Sequence, residues 1–423
     1  MRRLFVWQSV ACFLTLSFFL LLYQNAENPA PIRYWIPFYK YCIRFAVLSN
    51  EDTFLKKLKA LYNGKRDQKC IEFGKASEQK FAGSADIVWF IGKCSSELGN
   101  YQEAIDYFKK AVEINAEDDD ALSSMAYAYL ALEDYVHAEE YSIKSLKMYS
   151  ENSTALYVKE ALQERKKPLG EQISQFFSDN YLYKDGMADL DNKLAALKKP
   201  EITNREIAEV INGAKQKNDI FTFVLYGEDY DFATASTNQD ISYKLDGNKV
   251  YLQINDFNRN TDDKLVELLD NIPDTEQKTL IIDLRGNSGG LTVTSNNMLD
   301  ALLPKYVTST LIYADGYTDS YYSDASQIKF NKIYILVDEH TASAAELLTL
   351  GLKTYLSNVT VIGRNTFGKG VGQQVFEDKK SKIMVFVVNH YWNVKEKNIM
   401  NAHITPDIYV KGNELEGFLK PIK

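Results

Sequence analysis

The stretch that decides the fold reads KIYILVDEHTASAAE and covers residues 332–346. Its apolar part, Lys332–Val337, has the length of a buried strand, and a predicted helix begins at Ser343 after a polar turn. A second apolar segment, Val359–Gly363, leads to the sequence FGKG, which places Lys369 between two glycines 26 residues after the serine. Two polar loops that each follow an apolar strand can bring a hydroxyl and an amine together, so the pattern indicates a Ser/Lys hydrolase site.

The same serine also has a purely structural interpretation. Ser343 and Glu346 form the S-x-x-E pattern of a capping box, in which the two side chains bind free amides at the start of a helix. From that motif alone, a helix cap is favoured over a nucleophile. The choice therefore depends on what surrounds the serine in the rest of the sequence.

Apolar and amphipathic segments alternate through the C-terminal half. Further strands are predicted at Lys249–Asn255, Thr279–Leu284 and Ile383–Asn389, and helices at Asp263–Asn271, Val293–Leu303 and Ser343–Tyr355. Upstream of them, amphipathic segments cover Gln172–Tyr183, Asp189–Lys198 and Thr203–Lys215. Continuous apolar strands that alternate with helices predict a mainly parallel α/β sheet covered on both faces.

Residues 50–165 have a helical pattern that repeats every 34 residues. Gly92, Ala104 and Phe108 of one unit correspond to Ala126, Ala138 and Ser142 of the next. A degenerate earlier unit contains Cys70, and a closing helix is predicted at Thr154–Glu164. Because small residues recur where paired helices pack closely, the pattern resembles the tetratricopeptide repeat and predicts an α-solenoid. Such a solenoid presents a concave surface to a protein partner; the alternative is a spacer.

The N-terminus has the pattern of a membrane segment. Arg2 and Arg3 precede an uncharged apolar run, Leu4–Ala26, which is long enough to cross a bilayer. The arginines predict a single-pass transmembrane helix with the rest of the chain outside the cytoplasm, at the cell membrane. Residues 1–49 would then hold this anchor and a juxtamembrane segment. A cleaved signal peptide, and hence a secreted protein, is the alternative.

Composition and motifs exclude several classes of function. A net charge of −8 without a long basic run argues against a nucleic-acid partner. The sequence contains no C-x-x-C, H-E-x-x-H or G-K-[ST] motif, so no metal, phosphate ligand or other cofactor is expected. Cys70 and Cys94 are expected to be small buried hydrophobic residues, and a disulfide between them stays open.

Four motifs in a fixed order carry a family resemblance. They are DLRGNSGG at 283–290, TASAAE at 341–346, FGKGVGQ at 367–373 and HITPDI at 403–408. They resemble D-L-R-x-N-x-G-G, S-A-S-A-S-E, F-G-K-G-x-x-Q and G-V-T-P-D-I of the carboxy-terminal processing (tail-specific) proteases. The resemblance implies a serine endopeptidase of protein substrates with an α/β core of the ClpP/crotonase-like type. The protease-like domain would cover 170–423, with a helical lead-in at 170–232 and the α/β core at 240–411.

The resemblance also implies a role for each site residue. Ser343 would be the nucleophile and Lys369 its base, with Gln373 orienting the amine. The backbone amides of Gly289 and Ala344 would bind the oxyanion. A lysine serves as a base only when it is neutral, which requires burial, and a neutral orienting residue avoids the rise in pKa that a carboxylate causes. Phe367 and its neighbouring glycines are expected to enclose the amine.

One part of the family pattern is missing. Asp219–Phe232 resembles the segment that normally precedes a PDZ domain, but fewer than twenty residues separate Phe232 from the next core strand. A PDZ domain cannot fit in that interval, so the usual binder of substrate C-termini is expected to be absent. The tetratricopeptide repeats are a candidate replacement for recruiting substrates.

Two other functions remain open from the sequence. The chain can be a tetratricopeptide adaptor whose protease-like half only binds polypeptide. A histidine base is a competing mechanism, since His340, His390 and His403 lie in the same half, and Asp407 is close to His403. Around the serine, however, the G-x-S-x-G context of an esterase is absent.

Overall fold

The computed structural model describes residues 51–64, 66–185, 187, 189–199, 201–235 and 240–422. The predicted transmembrane anchor at 4–26, and with it the whole segment 1–49, lies outside these residues. Within the described ranges, no helix has the length and apolar character needed to span a bilayer.

The N-terminal half of the described chain consists of seven helices. Their bounds are α1 at 51–63, α2 Asp67–Lys80, α3 Ala85–Glu97, α4 Tyr101–Ile114, α5 Asp119–Ala131, α6 Tyr135–Met148 and α7 Ser153–Glu164. Helices α3 and α5 start 34 residues apart, and so do α4 and α6. The predicted repeat period is therefore confirmed in the helix positions.

Small residues let the repeat helices approach closely. A Cβ atom added to Gly92 would lie 2.6 Å from the ring of Phe108, and one added to Gly74 would lie 2.5 Å from Ile91. Ala104 and Phe108 are fully buried in the same layer. Larger side chains at the two glycine positions would push the paired helices apart, as the repeat pattern predicts.

Cys70 and Cys94 form a disulfide that joins α2 to α3, with a Cα–Cα distance of 6.3 Å. The disulfide that the sequence left open is therefore present in the structure, and the expected burial of both cysteines is confirmed. Both cysteines face the interface of the two helices and are fully buried. The packing of the helices, which sequence spacing does not reveal, brings the sulfur atoms together.

We expect the disulfide to stabilise the repeats measurably. Replacing both cysteines with alanine should lower the free energy of unfolding by about 3 kcal/mol, because the unfolded chain gains the entropy of an open 24-residue loop. Urea unfolding with and without a thiol reductant measures this. The reductant should destabilise the native chain and leave the double variant unchanged; equal sensitivity of the two proteins would contradict the prediction.

Eleven strands and eight further helices follow the repeats in the described residues. The strands are β1 Phe223–Tyr226, β2 Ile241–Asp246, β3 Lys249–Ile254, β4 Thr279–Asp283, β5 Val307–Tyr313, β6 Thr318–Tyr322, β7 Lys332–Val337, β8 Val359–Gly363, β9 Val371–Asp378, β10 Ile383–Asn393 and β11 Ile408–Tyr409. The helices are α8 Leu169–Asn180, α9 Leu190–Leu194, α10 Asn204–Ala214, α11 Glu228–Thr234, α12 Thr261–Asp270, α13 Thr292–Leu302, α14 Ala344–Tyr355 and α15 Leu415–Leu419. Short 3₁₀ segments occur at Ala195–Lys198 and Thr275–Gln277.

Six strands form the predicted sheet in the order β11-β8-β7-β4-β3-β2. All neighbours in it are parallel except β2 and β3. Alternate residues face two different cores: Ile333 and Ile335 pack with α13 and α14, whereas Tyr334 and Leu336 pack with Phe418 of α15. A mainly parallel sheet covered on both faces is therefore confirmed.

A second, antiparallel sheet was not predicted as a separate layer. It has the order β1-β10-β5-β6, and β9 pairs with β10. One face of β10, with Ile383, Val385 and Val387, packs against α8, α9 and α10. The amphipathic lead-in helices therefore support the sheet that carries Gln373.

The repeats contact the α/β region at several places along their length. Near their start, Arg66 forms ion pairs with Asp300 and Asp324, both at 2.5 Å. Near their end, Lys379 lies 3.0 Å from Glu133. The solenoid therefore packs against the α/β region through contacts that are spread along the repeats.

Candidate active site

Three loops meet at one edge of the parallel sheet. They follow β4, β7 and β8, which are adjacent and parallel, so their carboxyl ends lie side by side. The loops carry the glycine motif at 284–291, the serine motif at 338–343 and the lysine motif at 364–370. Parallel strands place ligands and reacting groups at this edge in many α/β proteins, and here they bring all three sequence motifs together.

Ser343 stands at the junction between the β7 loop and α14. Its backbone has φ 54° and ψ −119°, a conformation that costs free energy for a residue with a side chain. The adjacent Ala344 begins the helix and is buried. The turn therefore presents the serine at a helix N-terminus, where free amides and the helix dipole favour an anion.

Glu346 joins the serine loop to the lysine loop. Its fully buried carboxylate accepts hydrogen bonds from the N–H of Ser343 at 2.9 Å, of Gly368 at 2.7 Å and of Lys369 at 2.9 Å. The Thr366 hydroxyl, which itself accepts from a backbone amide, is a fourth donor at 2.5 Å. Four donors fit an ionised carboxylate, which can only accept.

This network gives Glu346 a larger role than capping. The amides of Ser343 and Lys369 bind the same oxygen atom, Oε2. Burial raises the pKa of Glu346, while its hydrogen-bond donors act in the opposite direction. The capping box between Ser343 and Glu346 is thus present, and the same carboxylate also holds the serine loop and the lysine loop in one arrangement.

Lys369 lies in a partly buried position beside an aromatic ring. Its Nζ donates to Gln373 Oε1 at 2.5 Å and lies 5.3 Å from the centre of the Phe221 ring. Burial lowers its pKa from 10.5 to about 8, although the charge of Glu346 acts to raise it. About a tenth of the amine is therefore neutral at pH 7, and this form, which can accept a proton, becomes the major one above pH 8.

Phe221 encloses the amine where Phe367 was expected to do so. Phe367 is 46% exposed and packs edge-on against Phe221, with 6.0 Å between the ring centres. The Phe221 carbonyl also accepts a hydrogen bond from Gln373 Nε2. Gln373 is thereby held from both ends, with its amide oxygen directed at Lys369.

Ser343 and Lys369 both belong to the described part of the chain, and no hydrogen bond joins Ser343 Oγ to Lys369 Nζ. The amine is bound to Gln373. Hydrogen bonds between catalytic groups are often absent without substrate and form only in the complex. The loops are in place, and the roles of Ser343, Lys369 and Gln373 remain predictions.

The two predicted oxyanion donors differ in their surroundings. Ala344 N–H has no hydrogen-bond partner among the described residues, as expected for the first residue of a helix. Gly289 N–H instead donates to Asn287 Oδ1 at 2.8 Å. Gly289 is nevertheless in contact with the serine, since a Cβ added to it would lie 2.8 Å from Ser343 Cβ. The role of the Gly289 amide as a second oxyanion donor stays a prediction. In that role the amide must either leave Asn287 or donate to Asn287 and the oxyanion at the same time.

Asp283 and Arg285 connect the loops around the site. Arg285 binds Asp283 through Nε at 2.8 Å and Nη2 at 2.7 Å, and reaches the carbonyl of Asn413. Tyr251 donates to the same carboxylate at 2.5 Å. These contacts occupy the Asp283 carboxylate and the Arg285 guanidinium, so the two side chains support the glycine loop.

Histidines take no part in the observed contacts of Ser343. His403 Nδ1 contacts the carbonyl of Thr366, and His390 Nδ1 contacts Asn389. Burial lowers the pKa of His390 to about 4. His340 is exposed, and only its backbone amide binds Asp338. None of the three is within hydrogen-bonding distance of the serine in the described structure.

Sequence reasoning missed Phe221 and Asn287 as parts of the site and recognised Glu346 only as a capping residue. Phe221 follows Asp219, whose side chain binds the amides of Phe221 and Thr222 in a local turn. The D-x-F pattern at the start of Asp219–Phe232, the segment that resembles the family, was the available signal for Phe221.

For the residues that the structure describes, no group of three or more His, Cys, Asp or Glu side chains could hold a metal ion.

An α/β sheet that presents a serine at a helix start beside a partly buried lysine has the architecture of a serine peptidase domain. Residues 248–410 match the model of peptidase family S41, and residues 85–118 match a tetratricopeptide repeat model. Residues 248–410 therefore form a domain of peptidase family S41, and a tetratricopeptide repeat lies ahead of it in the chain.

Curated relatives agree with this assignment. A probable CtpA-like serine protease of Staphylococcus aureus (strain N315) is 29% identical over 175 residues, which are 41% of this chain and 35% of that protein. A carboxyl-terminal-processing protease of Synechocystis sp. is 27% identical over 164 residues, 38% of each chain. The matched region thus spans about a third of the length of these relatives. Among solved structures, a lipoprotein from Streptococcus agalactiae is 20% identical with a TM-score of 0.47, covering 59% of this chain and 92% of that one.

Proposed function

We propose that the protein is a serine endopeptidase that cleaves protein substrates by a Ser343/Lys369 mechanism. The observation that carries the proposal is the shared Glu346 oxygen, which fixes the backbone of the serine and of the lysine relative to each other. A neutral amine and a hydroxyl held on two such loops have the composition of a nucleophile and its base.

In the first step, the neutral Lys369 amine takes the proton of Ser343 Oγ as that oxygen bonds to the carbonyl carbon of the scissile peptide. The amine can keep its N–H bond to Gln373 while its lone pair accepts this proton. The negative charge moves to the substrate oxygen, where the Ala344 amide at the helix start is its first donor. The amide of Gly289 is the proposed second.

Collapse of the tetrahedral intermediate then breaks the peptide bond. The Lys369 ammonium returns its proton to the leaving amine, and the acyl group remains on Ser343. A water molecule gives its proton to Lys369 and attacks the ester carbonyl, and the serine departs with that proton. Because the lysine ends each half-reaction neutral, its lowered pKa suits both directions of transfer.

The remaining parts of the chain would place this activity outside the cytoplasm. We infer that the N-terminal apolar segment anchors the protein in the cell membrane, with secretion as the alternative. The Cys70–Cys94 disulfide supports an oxidising compartment, where such bonds persist. The tetratricopeptide repeats would recruit a protein partner or substrate, in the place of a PDZ domain.

Incubation of the purified chain with a reduced, alkylated protein tests this function. Mass spectrometry should find new internal termini with the native chain. The Ser343→Ala variant is the control and should produce none above background. Equal cleavage by the two proteins would contradict the assignment of Ser343 as the nucleophile.

One observation favours a second function, that of an adaptor with an idle protease-like domain. The Gly289 amide binds Asn287, so one of the two proposed oxyanion donors is occupied. An adaptor would bind the unfolded protein without cutting it. Binding without cleavage, at any pH from about 6 to about 10, would therefore favour this second function.

A further inference from the structure

A cavity of about 430 Å³ lies between the repeats and the α/β region. We call it the interdomain cavity. The repeats contribute Tyr62, Asp67 and Glu97 to its lining, and the α/β region contributes Asp263, Leu291 and Val293. Its volume is within the range of about 300–1,000 Å³ that is typical of ligand pockets.

The interdomain cavity is continuous with the glycine loop of the candidate site. Leu291, which is 39% exposed in its lining, comes two residues after Gly289, the residue in contact with Ser343. The two segments that flank this loop are bound to each other, because Phe257 N–H donates to Gly289 O and Leu291 N–H donates to Phe257 O. A short and fixed segment of the glycine loop therefore connects the lining of the cavity with the residue that contacts Ser343.

The charges in the cavity favour a cationic occupant. Four carboxylates line it, those of Asp67, Glu97, Asp262 and Asp263, against the single guanidinium of Arg259. Arg259 is held by the carbonyl of Glu97 at the end of α3, at 2.6 Å. Burial and the nearby Asp262 raise the pKa of Asp263 to about 7, so an incoming cation would favour its ionised form. Tyr62, Leu98 and Leu291 supply apolar surface between the carboxylates.

We propose that the interdomain cavity is the entrance through which an extended, basic polypeptide segment with apolar or aromatic residues reaches Ser343. The inner side of α1–α3 forms one wall of this entrance, so the repeats select substrate directly. This assignment rests on the proposed function, but binding in the cavity can be measured without catalysis.

The test uses the full chain with Ser343→Ala, so that peptides bind and are not cut. Two fluorescein-labelled twelve-residue peptides are compared, identical in their tyrosines, leucines and glycines, one with four lysines and the other with four glutamates. Fluorescence anisotropy gives Kd for each. A second protein also carries Glu97→Gln and Asp263→Asn, which remove charge with little change of shape. A matched control carries Glu117→Gln and Glu160→Gln, two exposed carboxylates of the repeats outside the cavity.

The lysine peptide should bind more tightly than the glutamate peptide. Neutralising the cavity pair should raise the Kd of the lysine peptide about fivefold, and the control pair should change it less than about twofold. Equal binding of the two peptides, or equal effects of the two variant pairs, would overturn the proposal. Cleavage of the lysine peptide by the chain with native Ser343 is measured separately: binding without cleavage refutes the proposed function and leaves the cavity as a binding site.

Discussion

Lys369→Ala should lower kcat/KM for an unfolded protein substrate by about 10³-fold and leave the fold intact. The side chain is the only proposed proton acceptor for Ser343, and general acid–base catalysis typically contributes about 10²–10⁴-fold. Within the described structure, the Nζ atom makes one hydrogen bond, to Gln373, so the substitution leaves few polar groups without a partner. The matched control is Lys411→Ala, which removes an exposed lysine beyond the site and should keep native activity.

The pH profile of the native chain belongs to the same prediction. Below its pKa of about 8, Lys369 carries a proton and cannot accept the one from Ser343, so kcat/KM should rise with pH and level off above that value. The small residual activity of Lys369→Ala should lack this rise. A profile governed by a group with a pKa of about 6.5 that survives Lys369→Ala would instead identify a histidine as the base.

Much of the parallel sheet could be predicted because its strands are continuously apolar. Lys332–Val337 and Val359–Gly363 have the predicted bounds, and the loops after them carry the predicted serine and lysine. The antiparallel sheet was not predicted because two of its strands lack such runs: β5 and β6 are partly exposed and mix threonine, serine and tyrosine with apolar residues. Strands of that kind are defined by their partners more than by their own pattern.

The tertiary contacts of the site could not be predicted in the same way. S-x-x-E correctly identified a capping motif, but that motif is local and says nothing about Thr366, Gly368 or Lys369. Those donors reach Glu346 only because β8 lies beside β7 in the sheet. In the same way, the helix pattern shows that Cys70 and Cys94 are on neighbouring helices but not that their sulfur atoms meet.

Glu346→Ala should have the largest effect on stability of any single substitution in the site. It removes a fully buried acceptor and leaves the amides of Ser343, Gly368 and Lys369 and the hydroxyl of Thr366 without their partner. Since each buried unsatisfied donor costs about 1–3 kcal/mol, the free energy of unfolding should fall by at least about 3 kcal/mol. Urea unfolding measures it. Glu339→Ala, in the same loop region, is the control: its carboxylate is half exposed and pairs with Arg364, so its loss should cost no more than about 1 kcal/mol.

Glu346→Gln separates the positioning role of this residue from its contribution to stability. The amide keeps the volume of the side chain, so a larger fraction of the protein should fold, but it lacks the negative charge that raises the pKa of Lys369. The rise of kcat/KM with pH should therefore shift to lower pH than the native value of about 8, while the maximal rate falls because the two loops are held by fewer hydrogen bonds. A variant that loses stability and rate with no shift of the pH profile would show that Glu346 supports the fold alone. A shift toward lower pH would mean that the carboxylate joining the serine and lysine loops also sets the pH at which the lysine can act.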